Sequence, residues 1–210
     1  MTAAHESARL PASAHTSRPW RIHEVAPDFH VEDVWALPTP GGPGDFPRLV
    51  ELLASLDPKR SASRASRTLF ALRWKLGELL GWDEGGAGVG ERVPSLRDRL
   101  PADLRHEYNG PRSGELPFTP VYMTEDEWAV ETANETVHGV LHLAWVPNGA
   151  GGYRGQMAVL VKPNGLLGRL YMLAITPFRH LLVYPAMLRE IGRAWREQAG
   201  TAVVADEMRR

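Results

Sequence analysis

Four polar side chains in the last third of the chain carry the chemistry of proton transfer or anion binding: Arg169, Tyr171, Arg179 and His180. An arginine beside an apolar cavity holds a carboxylate or an enolate, and a tyrosine or histidine moves a proton. The same side chains serve equally well to satisfy sheet ends, to bind carbonyls freed around Pro177, or to pair with Glu127, Glu131 or Glu135. Residue type alone leaves both readings open, with Tyr171, Arg179 and His180 as the catalytic candidates. His138 and His142 are the next pair. Four residues apart on a strand they share a face but stand far apart along it, whereas a metal pair at that spacing belongs on a helix. No third ligand lies nearby, so they read as surface or hydrogen-bonded histidines and no metal site is expected. His5 and His15 fall in a stretch without hydrophobic periodicity and are too far apart to act together.

Short catalytic signatures are missing from the sequence. It has no G-x-S-x-G, no H-E-x-x-H and no Gly-Lys-Ser/Thr phosphate loop. The glycine run at 84–91, EGGAGVGE, has the wrong spacing for a dinucleotide loop and follows a helical pattern, so it reads as a connector. No cofactor is expected.

The elements that position these side chains fall into two halves. Residues 19–25 alternate and read as a first strand; residues 28–37 read as a second strand or an irregular crossing. After the proline–glycine break at 38–44, Asp45 is a good N-cap and Pro47 suits a first turn. Leu49, Leu52, Leu53 and Leu56 then give a helical stripe, and Leu69, Leu72, Leu76 and Leu80 give another. From Phe118 the period changes to two. Strands are predicted over 120–124, 127–133, 136–146 and 153–162, with hairpin chemistry in the Asn-Gly-Ala-Gly-Gly loop between the last two. An antiparallel meander of this kind commonly needs cover on one face. Residues 166–198 read as a long apolar helix, bent or broken at Pro177 and Pro185.

Composition narrows the class. The chain has 210 residues, 43% hydrophobic, with no cysteine. Disulfides, thiol catalysis and cysteine zinc sites are therefore excluded, and a cytoplasmic location suits the composition. The 24 basic and 25 acidic residues nearly balance, so no global field favours nucleic acid. Arg169, Arg179 and His180 inside the apolar C-terminal stretch argue against an integral membrane span. Residues 1–18 are expected to be a disordered leader, 19–200 a single domain, and 201–210 a tail.

The run Asn164-Gly165-Leu166-Leu167-Gly168-Arg169-x-Tyr171, with Pro177-Phe178-Arg179-His180 after it, resembles the bacterial DUF2867 family. The segment PDFHVEDVW at 27–35 fits the same family, and the resemblance covers most of the chain after Pro19. It implies an α+β helix-grip fold of the START/SRPBCC type, a curved antiparallel sheet packed on a long C-terminal helix. Such a sheet bent around one helix leaves an apolar pocket. The expected lining is Trp128, Val130, Leu141, Trp145, Met157 and Tyr171, with Arg179 fixing orientation, and the expected ligand is a flat apolar or aromatic molecule bearing an acidic or carbonyl group. The alternatives are a cyclase, dehydratase or isomerase using Arg179, His180 or Tyr171, and a protein-interaction or membrane-surface module.

Overall fold

The computed structural model of the chain describes residues 8–55, 88–91, 93–106, 108–111, 118–134, 137–165, 172–173, 176–177 and 179–207. Among them are β1 (Arg9–Leu10), α1 (Ser13–Thr16), α2 (Ile22–Val25), β2 (His30–Ala36) and α3 (Phe46–Ser55). Strands β3 (Thr119–Met123), β4 (Glu127–Ala133), β5 (Val137–Pro147) and β6 (Tyr153–Pro163) follow, and then α4 (Tyr184–Glu207). The six strands form one open antiparallel sheet in the order β1-β2-β6-β5-β4-β3. The class is α+β.

The meander forms where the period-two pattern predicts it. Asn148 closes the β5–β6 hairpin: its Oδ1 accepts from the amides of Ala150 at 2.8 Å and Gly152 at 3.1 Å. Gly149 and Gly151 supply the positive φ values, 77° and 86°, that the loop needs. Pro120 is tolerated because β3 is an edge strand and its register shifts at that point.

Helix α3 follows the leucine stripe, burying Leu49, Leu52 and Leu53. Asp45, expected as its cap, instead uses its Oδ2 to accept from the Gly42 amide at 2.7 Å, which closes the loop before the helix. The second leucine stripe and the first half of the glycine connector lie outside the described residues. Helix α4 is entered through a π-turn at Arg179–Val183. Pro185, which has no N–H to give the preceding turn, sits in the first turn of α4.

Three expectations need correction. Residues 19–25 do not form a strand; Ile22–Val25 is a short helix whose Ile22 and Val25 face the sheet. The leader does not extend to residue 18, because Arg9 and Leu10 pair with Trp35 and Val34 and His15 is fully buried. Residues 201–207 continue α4 rather than forming a tail.

Cover on one face is also not what the sheet receives. One face carries Trp35, Trp128, Leu143, Trp145 and Met157, which pack against Leu49 of α3 and Leu188, Ile191 and Trp195 of α4. The other carries Ala129, Val140, Ala144, Ala158 and Leu160, covered by Trp20, Ile22, Val25 and Phe29 and by Leu96 and Leu100. Arg48 ties α3 to α4: its guanidinium lies 3.9 Å from the Trp195 ring centroid and donates to the Trp195 carbonyl at 2.6 Å.

Candidate functional site

The register of the sheet builds the site. On the face that carries α4, cross-strand partners line up in two rows. One row runs Met123, Trp128, Leu143, Met157, Trp35 across β3, β4, β5, β6 and β2. The neighbouring row runs Val130, Leu141, Val159 and ends on β2 at Asp33. The first row, with Trp145, is spent in the core against α3 and α4. In the second, Leu141 and Val159 are half-buried. Of the expected lining residues, Trp128, Val130, Trp145 and Met157 therefore pack into the core, while Leu141 lies half-buried on a row leading to a carboxylate. Tyr171, with Arg169 and Gly168, lies outside the described residues.

Asp33 is where Arg179 and His180 converge. Its side chain has no exposed surface. It accepts from Tyr184 Oη at 3.0 Å, and Arg179 Nη2 stands 3.1 Å from Oδ2. His180 Nε2 hydrogen-bonds to Oδ1, and Arg9 approaches the same oxygen at 3.6 Å. Arg179 Nη2 also donates to Glu32 at 3.0 Å. The Trp35 ring packs on Tyr184 at 4.7 Å and on His180 at 6.1 Å between centroids. Burial and the nearby Asp33 carboxylate raise the Tyr184 pKa well above that of a free phenol, so this hydroxyl donates and does not act as a base. A neutral His180 gives its Nε2–H to Asp33 and keeps its lone pair on Nδ1, the arrangement of a base held by an orienting carboxylate.

Two donors in this group are unsatisfied. The indole N–H groups of Trp128, Trp145 and Trp195 are all used, on Tyr108 at 2.8 Å, on the Gly42 carbonyl at 2.9 Å and on the Pro40 carbonyl at 3.0 Å. Trp35 Nε1 is buried and has no partner among the described residues; the same holds for Arg179 Nε. An open cleft of about 380 Å³ reaches Asp33 from the sheet edge, between residues 9–12 and the β2 residues Glu32, Asp33 and Val34. A second cleft, also of about 380 Å³, lies on Asn109, Met123, Thr124 and Glu125. Neither is lined by Trp128, Trp145 or Met157.

The family description Protein of unknown function (DUF2867) matches residues 25–186 of the chain. The chain belongs to DUF2867. The DUF2867 match contains Glu32, Asp33, Trp35, Arg179, His180 and Tyr184, all the members of the group except Arg9. No curated protein and no solved structure matches the chain. Asp33, Trp35 and Tyr184 were missed by reasoning from the sequence. The signal for Asp33 was present: in HVEDVWA it sits two residues from Trp35, an acid on the inward phase of a strand.

Of the two readings expected for His138 and His142, surface or hydrogen-bonded, the structure has the second: both lie on the opposite face, buried and hydrogen-bonded. His138 Nε2 meets Glu131 Oε2 at 2.8 Å, and the same carboxylate accepts from Ser95 Oγ at 2.6 Å and the Leu96 amide at 3.1 Å. His142 Nε2 meets Glu127 Oε2 at 3.0 Å, and its Nδ1 meets His15 Nε2 at 3.0 Å. Among the described residues no three His, Cys, Asp or Glu side chains are grouped to hold a metal ion. None of the described helices is long and apolar enough to cross a membrane.

Proposed function

We propose that this protein binds an apolar molecule carrying a carbonyl or carboxylate oxygen. The apolar body lies along Leu141 and Val159, and the oxygen accepts from Trp35 Nε1–H and Arg179 Nε–H. The observation that carries this reading is that Trp35 and Arg179, both packed around the Asp33 group, each keep a buried donor without a partner among the described residues, and that Asp33 stands opposite the half-buried Val159. A buried donor without a partner costs roughly 1–3 kcal/mol, and a ligand oxygen would relieve that cost. We read the architecture as the helix-grip plan of START/SRPBCC proteins, which places a ligand between sheet and C-terminal helix. Quenching of tryptophan fluorescence by a panel of hydrophobic carboxylates and their alcohol analogues tests the proposal. Trp35→Phe keeps the ring and removes the N–H, so it should weaken carboxylates about tenfold and alcohols less. Leu141→Ala should weaken both. An absence of saturable quenching across the panel, or equal losses for acids and alcohols in Trp35→Phe, rejects the proposal.

The Asp33–His180 pair favours a second reading, an enzyme of the cyclase, dehydratase or isomerase type in which His180 Nδ1 takes a proton from the bound molecule. That reading requires product formation by the native protein and its loss in His180→Gln with binding retained.

A further inference from the structure

We propose that residues 8–25 are an acid-released clasp: proton uptake at His15 and His142 detaches them from the sheet and removes one wall of the cleft beside Asp33. The inference concerns the fold itself and stands whichever molecule occupies the cleft.

The segment is held by Trp20, Ile22 and Val25, which pack on the sheet, and by a short set of polar bonds. Arg9 and Leu10 pair with β2, Ala8 accepts from the Ala36 amide at 2.7 Å, and Ala14 accepts from Gln156 Nε2 at 3.4 Å. Arg9 reaches Asp33 at 3.6 Å and Arg21 pairs with Asp103 at 2.7 Å, and a further polar attachment runs through Glu127. Its carboxylate accepts from the Arg21 amide at 3.0 Å, from Tyr122 Oη at 2.8 Å and from His142 Nε2 at 3.0 Å. With an amide and a hydroxyl already donating to it, Glu127 acts as an acceptor.

That fixes every proton along the chain of contacts. His142 gives its Nε2–H to Glu127, so its Nδ1 is the lone pair that faces His15. His15 therefore donates from Nε2 over 3.0 Å, and its own lone pair is on Nδ1. His15 Nδ1 is buried and has no partner among the described residues. A proton added to His142 Nδ1 would set two N–H groups against each other. A proton added to His15 Nδ1 would place a cation at a fully buried atom with nothing to accept from it.

The neighbours do not relieve either case. His23 packs edge-on against His15 with centroids 4.8 Å apart, and its Nε2 lies 3.5 Å from the His15 carbonyl. Arg18 sits over Trp20, which itself packs near His15. Asp126 and Glu127 favour a charged His142, and burial outweighs them. Across the sheet, His142 pairs with Ala129 and Ala158, whose small side chains leave the space the His15 and Trp20 rings occupy. The rings take protons once the segment has left. Because residues 9–12 line the cleft at Asp33, the same departure opens that cleft.

Burial, His142 and His23 together hold the His15 pKa at about 3 in the closed form, against 6.5 for a free histidine. The open form binds the extra proton below about pH 6.5, so acid favours opening by up to tenfold per pH unit for His15 alone. Between pH 7.5 and 5.0 that amounts to about 30-fold, and His142 adds to it.

Hydrogen–deuterium exchange of the full chain at pH 7.5 and 5.0, corrected for intrinsic rates, reads the opening directly. Peptides within residues 8–25 should lose protection by at least about tenfold at pH 5.0, while β4, β5 and β6 keep theirs. His15→Gln retains an N–H for His142 and cannot titrate, so it should flatten the response. Imidazole NMR of the native protein gives a second reading that does not depend on the variant: His15 should stay neutral down to the pH at which exchange of 8–25 accelerates. Unchanged protection of 8–25, loss of protection in step with β4–β6, or a charged His15 in the closed form overturns the clasp.

Discussion

Asp33 and Glu131 show how differently two buried carboxylates can be used. Glu131 is filled: Ser95, the Leu96 amide and His138 all donate to it. Its role is to fasten the 95–100 segment to β4. Glu131→Gln turns one acceptor oxygen into a donor facing other donors, and should destabilise the fold by about 2–3 kcal/mol in urea denaturation without affecting ligand affinity. Asp33 takes His180 on one oxygen and Tyr184 and Arg179 on the other, and the residues around it keep two donors, Trp35 Nε1 and Arg179 Nε, without a partner among the described residues. Tyr184→Phe removes one hydrogen bond and should cost about 1 kcal/mol. The pH dependence of stability follows from the opposite face. The His15 pKa is lowered on folding to about 3, so the unfolded chain binds more protons between pH 6.5 and that value. Stability is therefore complete above pH 6.5 and falls on acidification, by up to about 1.4 kcal/mol per pH unit from His15. Hydrogen bonds from His142, the Arg21 amide and Tyr122 outweigh burial at Glu127 and lower its pKa, so it adds a second loss as pH falls below the ordinary glutamate value and through the lowered one. Urea midpoints measured from pH 8 to 4 check the sign.

At the scale of elements, close approach decides which substitutions the sheet accepts. A Cβ on Gly155 of β6 would stand 2.6 Å from Leu49 Cδ2 and 2.9 Å from Leu37 Cδ1. A Cβ on Gly139 of β5 would meet nothing nearer than 3.9 Å. Gly155→Ala should cost about 1–3 kcal/mol by forcing α3 outward, while Gly139→Ala should be neutral or slightly stabilising. The meander was legible because period two persists over four strands and its turns use Asn and Gly. Residues 8–18 were not, since a two-residue strand and one buried histidine leave no periodic trace. Residues 19–25 misled because Trp20, Ile22 and the polar residues between them alternate like a strand, yet tertiary packing turned Ile22 and Val25 to one side of a single helical turn. Arg179 and His180 were recognisable from residue type; Asp33, their partner and 147 positions upstream of His180, needed the fold.

The whole molecule is a sheet with a core on each face, and each core is completed by residues outside the DUF2867 match. Trp20 and Ile22, which precede residue 25, close one face; Leu188, Ile191 and Trp195, which follow residue 186, close the other. A chain cut to 25–186 should therefore lose cooperative unfolding and bind a hydrophobic dye at neutral pH, where the full chain gives one sharp transition.

Trp145 and Trp195 lie 6.1 Å apart at 50° to each other, one on β5 and one on α4. Two transition dipoles that close and that skewed exchange excitation, and they split each other's absorption into a pair of circular dichroism bands of opposite sign. The couplet overlaps the amide signal, so helix content deduced from ellipticity alone would be in error for this protein. It also supplies an optical ruler for one event, since it vanishes once α4 leaves the sheet while the amide signal of an intact helix remains. Trp195→Phe should abolish it and restore an ordinary α+β spectrum.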